Sequence, residues 1–342
     1  MLVKKRIRVL VVDDSLVFRE IIKKGISSDK DIEVVAVASD PFIAKEKILE
    51  FNPDVMTCDI EMPRMNGIEF IKRLMPQYPL PVIVISAVSG VVFDAIDAGA
   101  VDFNAASVQD VEAFIKEIIV KIKTASLSKV RISSQNKAIS RQYSPVEVDP
   151  KLVIAIGAST GGTEAISRIL RDFPGNMPGI VIVQHIPPVF SRMFAERLNA
   201  STMLNIKEAG NGDYLEQGKV LIAPGDQHMR IKRIGDRYKV ECFDGEKVNG
   251  HCPSVDVLFE SVASEVGSNA IGVILTGMGY DGAKGLLSMK RRGARTIGQD
   301  EESSVVYGMP KAAFNIGAID KQVHLDNISK LLLNMSREEN IK

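Results

Sequence analysis

The chain has 342 residues, 45% of them apolar, and its 43 lysine and arginine residues balance 43 aspartate and glutamate residues. This length exceeds the usual share of one domain and predicts two, each with enough apolar residues for its own core. The balanced charge excludes a global electrostatic attraction to nucleic acid or to an anionic membrane, so we expect no nucleic-acid partner.

The amino terminus and the cysteines favour a soluble protein of the cytoplasm. In MLVKKRIRVLVVDDS, basic residues precede an apolar run that stops at two aspartates, too short for a signal peptide or a membrane span. Cys58, Cys242 and Cys252 form no CxxC pair, which favours a reducing compartment over a disulfide or zinc framework. We therefore expect cytoplasmic localisation without membrane insertion.

The first part of the chain, residues 1–123, predicts a doubly wound α/β domain. Helix-like stretches alternate with the β-rich runs RVLVV, IEVVAVA, DVMTCDI and PVIVISA. This alternation is typical of a parallel sheet with helices on both faces. The stretch after PVIVISA looks a few residues short for a full fourth helix. Residues 124–150 are rich in serine and lack apolar periodicity, which predicts a polar linker.

The α/β alternation resumes at Lys151 and predicts a second doubly wound domain over residues 151–342. Its β-rich runs are LVIAIG, GIVIVQ, GKVLIAP, RYKVECF, AIGVILT and RTIGQ. Helices are expected near residues 163–172, 190–199, 254–266, 282–292, 303–314 and 326–335. The predicted fold is therefore two doubly wound parallel-sheet domains joined by a polar linker.

Three carboxylates follow strands of the first domain. In VLVVDDS, Asp13 and Asp14 follow the first strand, and in VMTCDIEMP, Asp59 follows the third. Ligands of doubly wound sheets bind at this edge, where three acids would repel one another unless a divalent cation such as Mg²⁺ lay among them. One aspartate can then act as a nucleophile toward phosphorus. The alternative is that Asp14 or Ser15 only caps the following helix and Asp59 only occupies a turn.

The turn IGASTGG, after the first strand of the second domain, allows three interpretations. A P-loop requires GxxxxGK[ST], and no lysine follows these glycines. A dinucleotide site requires GxGxxG and an acid after the second strand, but the strand GIVIVQ ends in Gln184 and His185. The match of residues 157–161 to GxSxG indicates instead a nucleophilic Ser159 on a tight strand-to-helix turn.

A serine nucleophile needs a base, and the base needs an orienting carboxylate. Of the four histidines, only His185 directly follows a strand next to that of Ser159, and His228, in APGDQHM, is expected in a loop before a β-rich run. Asp281 lies in TGMGYDGA, a glycine-rich loop whose backbone N–H groups can face an oxyanion. We predict a triad of these three residues. Each also has an ordinary alternative: a helix cap for Ser159, a packing role for His185 and a cap of the helix that starts at Gly282 for Asp281.

The first domain resembles the receiver domain of two-component response regulators over residues 8–122. The resemblance rests on DD after the first strand, on MPRMNG behind Asp59 and on Ser86 in VIVISA. It implies phosphorylation of Asp59 by a histidine kinase. The implied site residues are the metal ligands Asp13, Asp14 and Asp59 for Mg²⁺ and the switch residues Ser86 and Phe103.

The chain departs from this family after the fifth strand. Receivers usually carry lysine and proline there, and this lysine contacts the phosphoryl oxygens, but AGAVDFNAAS has Ala106 and Ser107. Loss of the cation weakens phosphate-dependent switching in general. We therefore expect Asp59 to be phosphorylated, with the coupling to activation in question.

The second domain resembles the catalytic domain of the chemotaxis protein-glutamate methylesterases over residues 151–335. IGASTGG, VQHIPP, APGDQHM and LTGMGYDGA occur in the order of that family, and receiver, linker and catalytic domain match its architecture. The resemblance implies hydrolysis of glutamate γ-methyl esters on methyl-accepting chemotaxis receptors, often with deamidation of receptor glutamines, and no cofactor for the esterase. Oxyanion and pocket roles carry over to Thr160, Met278 and His228.

Two other classes of function compete with this interpretation. A receiver with a DNA-binding output would be a transcription regulator, but the second half has no basic surplus and no helix-turn-helix pattern. A non-catalytic signalling scaffold is the other alternative, since the receiver lysine is missing. Reactivity of the serine toward an acyl-type inhibitor distinguishes the scaffold from an esterase.

Overall fold

The structure is a computed structural model that describes residues 5–86, 89–105, 110–128 and 148–337. The chain divides into two compact units, residues 1–137 and 138–342. Ala106 and Ser107 lie outside the described residues, as does most of the predicted linker. No helix in the described ranges is both long enough and apolar enough to cross a membrane.

The first unit is a five-stranded parallel sheet with helices between its strands. Its strands β1 to β5 are Ile7–Val12, Ile32–Ala38, Val55–Asp59, Val82–Ser86 and Asp102–Ala105. Its helices α1 to α5 are Leu16–Ile26, Pro41–Phe51, Gly67–Leu74, Val92–Asp97 and Val111–Ala125. The strand order β2-β1-β3-β4-β5 places the reversal of winding between β1 and β3, the position at which such sheets bind ligands.

The sequence explains these elements locally. The central strands are continuous apolar runs because helices cover both faces of the sheet, and β3 and β4 are buried almost throughout. Asp40 caps α2 by accepting from two backbone N–H groups, and Pro41 occupies the first turn, where no N–H is needed. Helix α4 has only six residues, in keeping with the short stretch that follows β4 in the sequence.

The second unit is built on a seven-stranded parallel sheet with a small antiparallel sheet beside it. Strands β6 to β15 are Val153–Ala158, Gly179–Gln184, Asn205–Glu208, Tyr214–Leu215, Lys219–Ile222, His228–Ile234, Arg237–Phe243, Ala270–Ile274, Arg295–Gln299 and Lys321–Val323. Helices α6 to α11 are Gly162–Arg171, Phe190–Ser201, Val255–Glu265, Ala283–Arg291, Met309–Asn315 and Leu325–Met335.

The order of the large sheet, β15-β14-β13-β6-β7-β10-β8, sets the position of the site. From β6 the chain winds toward β7 and later returns to β13 on the other side, so the winding reverses between β6 and β13. The predicted α/β fold with two doubly wound domains is confirmed. Strands β9, β11 and β12 form the additional antiparallel sheet, whose long hairpin packs on α8 in the same apolar core.

Two local predictions are wrong. The helix expected near residues 303–314 begins only at Met309, because the backbone of Val306, before it, bonds to the loop after β13. Thr276 Oγ1 accepts from the N–H of Val306 at 2.9 Å, and the carbonyl of Val306 accepts from the N–H of Gly277 at 3.0 Å. His228, expected in a loop, is the first residue of β11 and pairs with Phe243.

Candidate active site

Ser159 follows β6 directly, at the point where the winding of the sheet reverses. Its N–H donates to the carbonyl of Thr276 at 3.0 Å, and its own carbonyl accepts from the N–H of Gly162 at 2.7 Å, which closes a tight turn before α6. The residue at the N-cap of α6 is Gly161, and no side chain caps this helix. The alternative role of Ser159 as a helix cap is therefore not what the structure shows.

Glycines leave space for this turn. Gly161 has a φ of +77°, and a Cβ at this position would lie 2.6 Å from Cβ of Val305. A Cβ on Gly277, in the loop after β13, would lie 2.7 Å from Cβ of Ser159. Glycine at both positions is thus required by conformation or by close approach, and not by a phosphate ligand.

His185 follows β7, the strand next to β6. Its N–H donates to the carbonyl of Ala158 at 3.1 Å, so the last residue of β6 and the base are joined through the backbone. Nε2 of the buried Gln184 donates to the carbonyl of Ser159 at 2.9 Å and to that of His185 at 3.2 Å. One amide group therefore ties together the two turns that carry the predicted nucleophile and base.

Asp281 is buried in the loop after β13 and contacts His185 directly. Its Oδ2 lies 2.9 Å from Nε2 of His185. The same carboxylate accepts from the backbone N–H groups of Val255 at 2.7 Å and of Asp256 at 3.3 Å, in the first turn of α8. Helix α9, which follows Asp281, has Gly282 at its N-cap and no side-chain cap. Asp281 therefore binds the start of α8 and not, as the alternative had it, the start of the next helix.

The surroundings of Asp281 keep it ionised. Burial opposes the charge of the carboxylate. It is favoured by hydrogen bonds from His185 and Asn249 and by the positive end of α8. The net effect holds the pKa of the carboxyl well below its ordinary value. A charged Asp281 accepts the proton on Nε2 of His185. This leaves Nδ1 as the basic nitrogen of the imidazole.

Nδ1 of His185 is buried and has no hydrogen-bond partner in the part of the chain that the structure describes. Ser159 is half-buried, and no hydrogen bond joins its hydroxyl to another described residue. A packing histidine would have both ring nitrogens satisfied, so the open Nδ1 argues against that alternative. A hydroxyl–imidazole contact of this kind often forms only when substrate is bound.

The three residues predicted to line the pocket occupy different places. Thr160 is half-buried, and its carbonyl accepts from Oγ1 of Thr276 at 3.0 Å. Met278 is 39% exposed in the loop after β13. His228 is buried, with Nε2 2.9 Å from the carbonyl of Glu246 and Nδ1 accepting from the N–H of Ser254 at 3.2 Å. His228 therefore lies behind the triad and supports Ser254.

Sequence reasoning missed the second layer of this site. Gln184, Asn249, Ser254 and His251 each contact a triad residue, and none of them was predicted. For Gln184 the available signal was its position at the end of a strand beside His185. For Asn249 it was the Asn-Gly pair, which is typical of a tight hairpin turn.

The first unit brings its three predicted carboxylates together. Oxygens of Asp13, Asp14 and Asp59 lie within 4.8 Å of one another at the reversal between β1 and β3. Ser15, and not Asp14, caps α1, by accepting from the N–H of Phe18 at 3.4 Å. Arg19 donates to the carbonyl of Asp13 and places a positive charge beside the cluster.

The electrostatics of this acidic pocket suit a divalent cation. Burial, together with repulsion from Asp59 and Asp14, raises the pKa of the Asp13 carboxyl to about 6, although the N–H of Ser15 favours the charged form. Burial likewise raises the pKa of Asp59. A group of oxygen ligands that repel each other when ionised fits Mg²⁺, which takes such ligands and offsets their charge.

The predicted switch residues of the first unit are both buried. Ser86 ends β4, and Phe103 lies in β5, where its ring packs edge-on against Phe93 at a centroid distance of 5.9 Å. The position of Ala106, which follows β5 in the sequence, lies outside the described residues.

Together, these two sites define a two-part class of protein. The first is a parallel sheet of order 2-1-3-4-5 with three carboxylates at its reversal, which is the architecture of a response-regulator receiver. The second is a doubly wound sheet with serine, histidine and aspartate at adjacent strand ends, an arrangement of the kind that serine hydrolases use.

Comparisons with known proteins agree with both halves. Residues 154–332 match the CheB methylesterase family, and residues 9–116 match the response regulator receiver domain. The chain therefore belongs to the CheB methylesterase family and carries a receiver domain, so both resemblances seen in the sequence are confirmed.

Relatives cover nearly the whole chain. A protein-glutamate methylesterase/protein-glutamine glutaminase 2 of Syntrophomonas wolfei is 56% identical over 96% of this chain and 97% of its own length. The protein-glutamate methylesterase/protein-glutamine glutaminase of Salmonella typhimurium is 44% identical over 96% of each chain. The crystal structure of the CheB methylesterase catalytic domain of Thermotoga maritima covers 54% of this chain and 98% of its own, with 37% identity and a TM-score of 0.53.

Proposed function

We propose that this protein hydrolyses glutamate γ-methyl esters on methyl-accepting chemotaxis receptors, and deamidates receptor glutamines, through Ser159, His185 and Asp281. The observation that carries the proposal is the pairing of Nε2 of His185 with a buried, ionised Asp281, beside a serine on a GxSxG turn. The names of the relatives, which pair methylesterase with glutaminase, support the choice of substrate.

The chemistry follows from the ring orientation. Oγ of Ser159 attacks the ester carbonyl carbon while its proton passes to Nδ1 of His185, and Asp281 stays ionised and stabilises the imidazolium. The tetrahedral intermediate collapses when His185 returns the proton to the leaving methoxide, which departs as methanol. Water then attacks the acyl-enzyme carbonyl and gives a proton to His185, which passes it to Oγ of Ser159 as the acyl bond breaks, so the receptor leaves with a free γ-carboxylate on its glutamate side chain. With glutamine as substrate, the same sequence releases ammonia.

We propose that the oxyanion site lies in the loop after β13. The N–H of His185 donates to Ala158 and that of Gly277 to Val306. The family resemblance implies the backbone N–H of Met278 as an oxyanion donor, and we keep this assignment, with the side chains of Met278 and Thr160 in the walls of the pocket. Removal of one such donor typically costs on the order of 10²–10³ in rate.

Methanol release from purified methylated receptor tests the esterase proposal. Ser159→Ala should lower the rate by about three orders of magnitude or more, because the acyl-enzyme can no longer form. Ser264→Ala, at an exposed serine of α8, is the matched control and should keep the parent rate. A Ser159→Ala protein that released methanol within tenfold of the parent would reject the proposal.

The receiver half is assigned to regulation. We propose that Asp59 accepts a phosphoryl group from a histidine kinase and thereby regulates the esterase in chemotaxis adaptation, with Asp13, Asp14 and Asp59 as the residues that would hold Mg²⁺. The cation would offset charge at the phosphoryl group. Incubation with radiolabelled acetyl phosphate and Mg²⁺ should label the parent and leave Asp59→Asn unlabelled. Equal labelling of the two proteins would place the phosphoryl group elsewhere.

A further inference from the structure

A two-residue turn outside the triad reaches two of its members. Val248 and His251 form an isolated antiparallel bridge, in which each N–H donates to the carbonyl of the other residue at 3.0 Å. Between them, Asn249 and Gly250 have φ values of +54° and +85°. Positive φ at both central residues is typical of the type I′ hairpin turn, for which Asn-Gly is the preferred pair. Because the turn type fixes the backbone, it also fixes the directions in which the side chains of Asn249 and His251 leave the turn.

Asn249, the first central residue of the turn, holds the carboxylate of Asp281. Nδ2 of Asn249 donates to Oδ1 of Asp281 at 2.8 Å and to Oδ2 of Asp256 at 2.7 Å. Both protons of the amide are thus used on carboxylates. Oδ1 of Asp281 also accepts from Oγ of Ser254 at 2.7 Å, which leaves Oδ2 directed at His185. Asn249 therefore fixes the rotation of the Asp281 carboxylate.

The last residue of the turn covers the base. The ring of His251 stacks on that of His185 with centroids 3.7 Å apart and planes inclined by 10°. A flat neighbour at this distance blocks rotation of the His185 ring away from Asp281. Burial, and then the proximity of His185, lower the pKa of His251 to about 4, so its ring is neutral when His185 takes up a proton. A neutral aromatic face next to an imidazolium is favourable, whereas a second charge would repel it.

We propose that the turn of residues 248–251 is the positioning element of the triad, with Asn249 orienting Asp281 and His251 orienting His185. Neither residue is assigned a contact with substrate. The inference rests on the proposed hydrolase function, and its test therefore uses a probe of serine reactivity that does not depend on the natural substrate.

The probe is a fluorophosphonate. Oγ of Ser159 forms a bond to phosphorus, fluoride leaves, and the serine proton passes to His185, so the second-order labelling rate reports how well His185 activates the serine. Labelling of the full chain that is lost in Ser159→Ala establishes the nucleophile. If methanol release fails while labelling persists, the substrate assignment is wrong and the positioning inference is still tested.

Asn249 is tested by an exchange within its own turn. Asn249→Gly keeps the positive φ and removes only the side chain, and it should lower both labelling rate and kcat roughly 10- to 100-fold, the effect of a small misplacement of catalytic groups. Gly235→Asn, in the turn between β11 and β12, is the matched control because it makes the reverse exchange at a glycine of positive φ with nothing within 4 Å of the Cβ position, and it should stay within about twofold of the parent. Equal rates for the two variants would overturn the role of Asn249.

His251 is tested by replacements that separate stacking from charge. His251→Phe keeps a neutral ring and should stay within about threefold of the parent, whereas His251→Ala should lose roughly 10- to 100-fold in kcat with KM within about threefold. A loss confined to KM would make His251 a substrate contact and overturn the proposal. So would an Ala variant as active as the parent.

The pH dependence of the labelling rate provides a further test, because it would not change if His251 had only a structural role. Asp281 and Lys247 are charged groups that act on His251, Asp256 shares the amide of Asn249 with Asp281, and all three remain in His251→Arg. A planar guanidinium can stack like the imidazole but carries a fixed charge, so the acid limb of the labelling rate should move about one pH unit or more lower than in the parent. An unmoved limb in a folded, labelled variant would show that position 251 does not face the base.

Discussion

Nε2 of His185 lies 2.9 Å from Oδ2 of Asp281, and the same oxygen accepts the N–H of Val255 at 2.7 Å. The carboxylate is therefore shared between His185, the proposed base, and the start of α8. The N-terminus of the helix supplies the positive end of its dipole and the histidine supplies a proton, so the charge of Asp281 is stabilised from two sides. The proposed triad and the anchoring of α8 therefore depend on one side chain.

Asp281→Asn should impair both roles. Activity should fall by about 10³–10⁴, because the amide cannot hold the tautomer that leaves Nδ1 of His185 basic. The free energy of unfolding should fall by about 1–3 kcal/mol, because the new NH₂ group faces N–H donors in a buried site. Kinetics and chemical denaturation measure the two effects. Ser159→Ala, inactive at full stability, is the control, and an Asn variant with parental activity would contradict the triad.

The sequence allowed the triad to be predicted because each member directly follows a strand or lies in the glycine-rich loop behind one. Apolar runs in the sequence show where strands end, and a parallel sheet brings the carboxyl ends of its strands to one edge. The contacts of Asn249 and His251 could not be predicted in this way. Their turn follows β12, a strand of the small antiparallel sheet, and only tertiary packing brings it over His185. The helix expected at residues 303–314 failed for a similar reason, since Thr276 competes for its backbone.

Gln184→Met should uncouple the two turns that carry Ser159 and His185. Methionine has a similar volume but donates no hydrogen bond, so the carbonyls of both residues lose the donor that joins them. Unsatisfied buried carbonyls cost about 1–3 kcal/mol of stability, and a loosened nucleophile should lower kcat by up to about 100-fold. Thermal unfolding and fluorophosphonate labelling measure the two quantities. A variant that loses stability but labels at the parental rate would restrict Gln184 to a structural role.

Gly161→Ala should be much more destabilising than Gly235→Ala. Both glycines have positive φ, +77° and +65°, but a Cβ on Gly161 would lie 2.6 Å from Val305, whereas nothing lies within 4 Å of one on Gly235. Left-handed backbone alone costs about 1–2 kcal/mol, and overpacking adds about 1–3 kcal/mol. Chemical denaturation of the two variants measures their free energies of unfolding, and the difference between the two losses is the cost of the steric clash with Val305. Equal losses would mean that Val305 moves aside without cost.

The affinity of the acidic pocket for Mg²⁺ should depend on pH through Asp13. Its pKa of about 6 means that a proton competes with the cation below this pH, and affinity should fall up to about tenfold per pH unit there. Without Mg²⁺, the folded state binds more protons than the unfolded chain between about pH 4 and 6, so receiver stability should fall as pH rises through this window. Calorimetric titration at several pH values tests the first effect. Asp13→Asn should bind more weakly and lose the step near pH 6.

Restoring the missing receiver lysine should strengthen the response to phosphorylation. Asp59, the proposed phosphoacceptor, lies in the acidic pocket, but Ala106 carries no cation that could contact the phosphoryl oxygens. A charged hydrogen bond to phosphate contributes about 1.5–3 kcal/mol, so Ala106→Lys should shift the switch equilibrium roughly 10- to 100-fold toward the activated state. Methanol release with and without acetyl phosphate and Mg²⁺ measures the gain in activity for the parent and the variant. The double variant with Asp59→Asn should show no gain. Equal gains for the parent and Ala106→Lys would mean that this receiver switches without a cation at position 106.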